Sequence, residues 1–256
     1  MAGPLICEEA GAGEPALVLV HGYLGSSRHW ARQLETLSCH RRVIAVNLTG
    51  FGASAHLAPP ATIAGHAAAV LDTLSGLGIE RFDLLGHSMG GMIAQQMAAT
   101  APGRIDRLIL YGTGAMGVMP DRFEPIETSR RRLMTEGLEA TVRRIAASWF
   151  EAGTDAAGYP LCVDEGLRAA PQAALAAFAA WEGWDGRAAL AGLDMPTLVL
   201  GGDGDRSYPW EQTERLWRGI AGARLAIVPG CAHAVHLEKP AIFDALVEDF
   251  LASTRR

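Results

Sequence analysis

The segment Gly86-His87-Ser88-Met89-Gly90-Gly91 sets one hydroxyl among glycines, directly after the apolar run Phe82–Leu85 and directly before a helix-like pattern that ends ahead of Pro102. A chain that leaves a strand and enters a helix through G-x-S-x-G must turn sharply, which holds the serine in a strained conformation above the sheet edge. Gly86 and Gly90 leave room for strand and helix to approach closely. The helix start then offers free N–H groups and a favourable dipole to developing negative charge. This is the pattern of an activated nucleophile, and a serine hydroxyl near neutral pH needs a base and an orienting acid.

Among eight histidines, His233 is best placed as the base. It follows the apolar run Arg224–Val228 and Pro229-Gly230-Cys231-Ala232, so it stands at the carboxyl end of a strand, from where it can reach Ser88 across the top of a parallel sheet. His236 is read as a packing or capping residue at the entrance of a helix beginning at Pro240. Two carboxylates compete for the third role: Asp203, immediately after the stretch from Thr197 to Gly202, where a side chain caps a turn, and Asp205, further along that turn. A tetrahedral intermediate also needs two N–H donors. One is expected from Met89, directly after the nucleophile, and the other from Tyr23, in the glycine-bearing loop His21-Gly22-Tyr23-Leu24-Gly25-Ser26. His21 is read as a structural hydrogen-bonder beneath that loop.

Those residues must be positioned by an alternating framework. Leu17–Val20, Arg42–Val46, Phe82–Leu85, Arg107–Leu110, Thr197–Leu200 and Arg224–Val228 are nearly continuous apolar runs, as expected for strands covered on both faces. Between them, Trp30, Leu34 and Leu37, and again Val70, Leu74 and Leu77, recur with helical spacing; two further helices are expected after Pro209 and Pro240. Strand alternating with helix predicts an α/β architecture with a mostly parallel, doubly wound sheet. From about residue 115 to 190 the rhythm breaks into helical segments only, Arg131–Phe150 and Pro171–Trp184. This divides the chain into a core, 1–114 with 191–256, and a helical cap, 115–190, inserted after the strand near residues 107–111.

The chain has 256 residues, 22 Lys+Arg against 28 Asp+Glu, a net charge of −6 and 49% hydrophobic residues. That composition excludes a disordered chain, and without a basic run it argues against nucleic acid or anionic membranes as partners. The four cysteines are far apart, which predicts free thiols in a reducing compartment and no metal site. No signal peptide is read at the N-terminus, and no run approaches the ~20 apolar residues needed to span a bilayer. A cytoplasmic protein is expected.

The motifs together resemble the α/β-hydrolase superfamily: H-G-x-x-G at His21–Gly25, G-x-S-x-G-G at Gly86–Gly91, G-x-x-D-x-x-x-P at Gly202–Pro209, and a terminal G-x-x-H at Gly230 to His233. A fifth segment, Asn47–Ser54, is similar to the family's D-x-x-G-x-G-x-S turn but carries Asn47 in place of Asp. The resemblance favours Asp205 as the acid and implies the α/β-hydrolase fold, a triad of Ser88, Asp205 and His233 in that chain order, and no cofactor. A serine nucleophile implies acyl chemistry, and the size and cap are similar to bacterial enol-lactonases, carboxylesterases and meta-cleavage product hydrolases. Such carbon–carbon hydrolases often have Asn before the nucleophile; His87 in that place tilts the expectation towards a small-molecule ester or lactone, with a ketone as the alternative. A non-catalytic small-molecule binder of the same fold is the reading from another class. Trp149, Phe178, Trp181, Trp184 and Tyr208 are candidate pocket residues, though aromatic residues at helical spacing also serve as core. Arg130, Arg131, Arg132, Arg143 and Arg144 could grip a carboxylate, but a solvated helix face is favoured for them. A monomer or homodimer is expected.

Overall fold

The computed structural model describes residues 3–119 and 122–253. Seven strands form one sheet: β1 (Cys7–Ala10), β2 (Ala16–Val20), β3 (Val43–Val46), β4 (Phe82–His87), β5 (Ile105–Tyr111), β6 (Thr197–Gly202) and β7 (Arg224–Val228). Their spatial order is β1-β3-β2-β4-β5-β6-β7, with every pair parallel except the antiparallel edge pair of β1 and β3. The helices are α1 (Ala31–Leu37), α2 (Ile63–Gly76), α3 (Met89–Thr100), α4 (Ile126–Ala147), α5 (Tyr159–Leu167), α6 (Pro171–Glu182), α7 (Trp210–Gly219), α8 (Val235–Glu238) and α9 (Pro240–Ala252).

The central strands are apolar throughout because successive side chains feed two different cores. Val18 and Val20 of β2 join the core beneath α2 and α3, whereas Leu17 and Leu19 point to the opposite face and pack with α1 and α9. The two proline-started helices, α6 and α9, begin at Pro171 and Pro240. Phe243, Val247 and Phe250 form the buried stripe of α9, while Ile242 stays half exposed. In α2 the Thr62 side chain caps the first turn by accepting from the Gly65 N–H, at 3.0 Å.

Four elements differ from the sequence reading, among them α8, a helix of 4 residues directly ahead of α9. β1 carries no apolar run, only Cys-Glu-Glu-Ala, because an edge strand needs to bury little; its Glu9 instead accepts from the Arg42 guanidinium at 2.7 Å. α4 begins at Ile126, earlier than Arg131, and is broken at Gly137, whose φ of 86° lies outside the helical region. α5 is a short additional helix between the two expected ones.

The strand–helix turn at Ser88 depends on close backbone approach. A Cβ on Gly90 would lie 2.3 Å from the Val20 carbonyl oxygen, and one on Gly86 2.2 Å from the Gly90 carbonyl oxygen. Neither obstacle is a flexible side-chain tip, so Gly90→Ala is expected to cost about 1–3 kcal/mol by forcing α3 away from β2. Gly76→Ala, where an added Cβ meets nothing within 4 Å, is the matched control. Urea midpoints of the two variants check the difference; equal midpoints would contradict this account.

Candidate active site

The carboxyl ends of β4, β6 and β7 converge. Ser88 follows β4 directly and holds φ 57° and ψ −123°, a strained conformation for a residue other than glycine. Its backbone is fixed on both sides: the Ser88 N–H donates to the Tyr111 carbonyl at 3.0 Å, and the Ser88 carbonyl accepts from the Thr113 hydroxyl at 2.7 Å. The hydroxyl therefore stands at the start of α3, which runs twelve residues.

His233 lies in the loop after β7, where its Nδ1 faces Asp205 Oδ2 at 2.8 Å. A carboxylate at that distance makes Nδ1–H the donor, which leaves Nε2 as the acceptor on the other side of the ring. Asp205 is itself oriented by two backbone donors, Ser207 N–H at 2.8 Å and Tyr208 N–H at 3.0 Å, both to Oδ1. Asp203 does something different. Its Oδ1 accepts from the Gly230 N–H at 2.7 Å, tying the β6 loop to the loop that carries His233.

The carbonyl of His233 is also held. It accepts from the Tyr111 hydroxyl at 2.9 Å and from His87 Nε2 at 3.1 Å. His236 completes this network through Nδ1, 3.0 Å from the Tyr111 oxygen, and its ring packs on Trp30 with centroids 4.6 Å apart. Burial holds the His87 and His236 imidazoles well below the usual histidine range, so both are neutral. The support given by Tyr111 and His87 had no signal in the sequence: each is simply the last residue of a strand.

The loop after β2 bends towards the nucleophile. A Cβ on Gly22 would lie 2.7 Å from the Ser88 Cβ and 3.2 Å from its Oγ, so only glycine permits this approach. Beneath the loop, His21 Nδ1–H donates to the Gly22 carbonyl at 2.8 Å and Nε2 accepts from the Leu48 N–H at 3.0 Å. Burial lowers the His21 pKa to about 3, so it stays a neutral strut. Asn47 takes over the turn-organising duty of the family's aspartate. Its Oδ1 accepts from the Ser27 N–H and hydroxyl, both at 3.1 Å, and its amide group donates to the Ile6 carbonyl at 3.0 Å, a bond no carboxylate can make.

Ser88, His233, Tyr208, Tyr23, Trp149 and Trp181 share one cavity of about 20 Å³, which is room for little more than a water molecule. Tyr208 stacks on His233, centroids 5.6 Å apart and planes 17° from parallel, and lines the same cavity as Ser88. Burial pushes the Tyr208 phenol up to about 12. Met89 is fully buried at the head of α3. Of the expected pocket residues, Phe178 stands behind Tyr23 and Trp181, with centroids 5.3 and 5.4 Å away, and Trp184 lines a separate depression beside Gln95 and Gln96. A lining residue that the sequence reading did not single out is Arg122. Four of the five arginines it did single out on α4 are occupied elsewhere: Arg130 pairs with Glu127 and Glu182, Arg143 with Glu139, and Arg132 and Arg144 with Glu124.

A strained serine between strand and helix, an aspartate-bound histidine after the last strand and a mostly parallel sheet define the α/β-hydrolase class. Residues 17–246 match the model of the alpha/beta hydrolase family, and the chain belongs to that family of hydrolases. It is 30% identical over 251 residues to RutD of Pseudomonas savastanoi pv. phaseolicola, named as a carbamate hydrolase, covering 96% of each chain. It is also 30% identical over 272 residues to a 2-hydroxy-6-oxo-2,4-heptadienoate hydrolase of Pseudomonas putida, covering 96% of this chain and 91% of the other. Among solved structures, the enol-lactonase from Burkholderia xenovorans superposes with a TM-score of 0.89 at 27% identity, covering 97% and 96% of the two chains.

Proposed function

We propose that this hydrolase cleaves a carboxylic ester or lactone of a small molecule through Ser88, His233 and Asp205 by way of an acyl-enzyme. The observation that carries this reading is the Asp205–His233 hydrogen bond of 2.8 Å on a cavity that also holds the strained Ser88. His233 Nε2 takes the Ser88 proton as Oγ attacks the carbonyl carbon, and the N–H groups of Tyr23 and Met89 hold the resulting oxyanion. The imidazolium then protonates the leaving alcohol as the tetrahedral carbon collapses to an acyl-serine. In the second half His233 takes a proton from water as its oxygen attacks the acyl carbon, and the imidazolium returns that proton to Ser88 Oγ as the tetrahedral carbon collapses and releases the acid. Asp205 fixes the tautomer and stabilises the imidazolium throughout. Residues 115–190 act as the cap that excludes bulk water and shapes the substrate.

The relatives' names include a lactonase and a 6-oxo-dienoate hydrolase, so cleavage of a carbon–carbon bond beside a ketone is the second reading. His87 before the nucleophile favours the ester or lactone. The test is labelling with a fluorophosphonate, followed by peptide mass spectrometry. Adduct on Ser88, with loss of labelling in Ser88→Ala, is expected. An inert Ser88 in folded protein would overturn the enzyme reading in favour of a binder, and turnover of meta-cleavage ketones in preference to esters and lactones would select the second reading.

A further inference from the structure

The wall of the cavity above Ser88 is mostly apolar and aromatic, with Trp149, Trp181, Ile145 and Met92 among its residues. Arg122 breaks that pattern. Arg122 is half-buried, and this partial burial lowers its pKa from the ordinary arginine value. It nonetheless remains a cation near neutral pH. Its rings and bonds fix it in place without neutralising it: Cζ lies 4.9 Å from the Phe123 centroid and 5.4 Å from that of Trp181, and Nη1 donates to the Glu124 carbonyl at 2.8 Å and the Ser129 hydroxyl at 3.4 Å. Among the described residues no carboxylate forms an ion pair with it. The nearby Glu124 side chain is already shared by Arg132 at 3.0 Å and Arg144 at 2.7 Å.

A cation partly withdrawn from water, with no ion-pairing carboxylate among the described residues, is costly, and a ligand that supplies a negative charge recovers part of that cost. The guanidinium fork matches a planar carboxylate in particular, and two of its nitrogens, Nε and Nη2, make no hydrogen bond to the described residues. Resting on the serine-hydrolase reading above, we propose that Arg122 anchors an anionic group of the substrate, so that the preferred ester or lactone carries a free carboxylate. Arg122 is then a specificity residue that binds the remote end of the substrate while Ser88 attacks its carbonyl.

Matched esters test this: monomethyl adipate against methyl hexanoate, and monomethyl glutarate against methyl valerate. The native protein is expected to favour the anionic member of each pair in kcat/KM by about tenfold or more. In Arg122→Met that ratio is expected to fall by at least about thirtyfold, chiefly through KM, and Arg122→Lys is expected to restore part of it because it returns the charge without the fork. An absence of anionic preference in the native protein, or the same ratio in Arg122→Met, overturns the proposal. Calorimetric titration of Ser88→Ala protein with adipate supplies a readout free of turnover: saturable binding that weakens about tenfold on adding Arg122→Met supports the anchor. If neither ester is cleaved and fluorophosphonate fails on Ser88, the hydrolase reading falls, yet Arg122-dependent adipate binding still sustains the anchor; absence of that binding overturns it.

Discussion

Asp205→Asn is expected to lower kcat/KM on an activated ester by about 10⁴-fold while the protein stays folded, the magnitude found when the orienting acid of a serine protease triad is replaced this way. The amide offers an N–H towards His233 Nδ1 where the carboxylate accepted one, so the ring turns to its other tautomer and Nε2 presents a proton to Ser88 in place of a lone pair. The side-chain oxygen can still accept from the Ser207 and Tyr208 N–H groups, which is why the loop should survive. Asp203→Asn is the informative comparison. Asp203 accepts from the Gly230 N–H and has no contact with the imidazole, so its loss is expected to loosen the loop and lower the thermal midpoint with a far smaller effect on rate. Kinetics and thermal unfolding of both variants check the pair. Equal rate losses would reassign the acid.

Stability is expected to fall steeply as the pH drops below about 6.5, the value of a histidine in the unfolded chain. Five imidazoles are buried and held neutral: His21 at about 3, His29 and His66 at about 4, and His87 and His236 well below 6.5, in each case chiefly by removal from water. Their folded pKa values are lowered. Above 6.5 folded and unfolded states are both neutral and nothing changes; below it the unfolded chain takes up protons that the folded one refuses. Each histidine then removes up to about 1.4 kcal/mol per pH unit between 6.5 and its folded value. At pH 5.5 the five together remove about 7 kcal/mol, a large part of a typical domain's stability. Asp83 opposes this, since burial raises its pKa to about 6 and protonating it relieves a cost as the pH falls, but it is one group against five. Urea midpoints at pH 7.5 and 5.5 measure the slope. His66→Gln, which removes one of the five groups, is expected to shallow it by about one proton. A flat profile would show that the imidazoles are not withdrawn from water as described.

Much of this molecule is legible from its chain. The glycines around Ser88 announce a tight turn because no other residue fits where Gly86 and Gly90 meet backbone oxygens. Central strands are readable because burial on both faces demands uninterrupted apolar runs. β1 escapes because an edge strand half open to water has no such demand. Arg122 escapes for another reason: it sits between a strand and a helix, where no periodicity declares which way a side chain points, and its proposed role arises from its place on the cavity wall without an ion-pairing carboxylate among the described residues. The arginines of α4 show the converse. Their sequence positions invite a substrate-binding reading, yet carboxylates of their own segment or a neighbouring helix claim four of the five. Trp149, Phe178, Trp181 and Trp184 share one kind of sequence signal, and only the fold separates the two that line the cavity from the two that do not.

The Glu165 carboxylate on α5 accepts from the Ser26 hydroxyl at 2.7 Å and lies 3.4 Å from Arg28, both in the stretch that follows the Gly22–Gly25 bend. α5 and the stretch after β2 are thus fastened to each other, Ser26 and Glu165 being buried and Arg28 exposed. A displacement of α5 would therefore pull on the stretch of chain just beyond Tyr23, so the amide proposed as an oxyanion donor is mechanically coupled to the position of that helix.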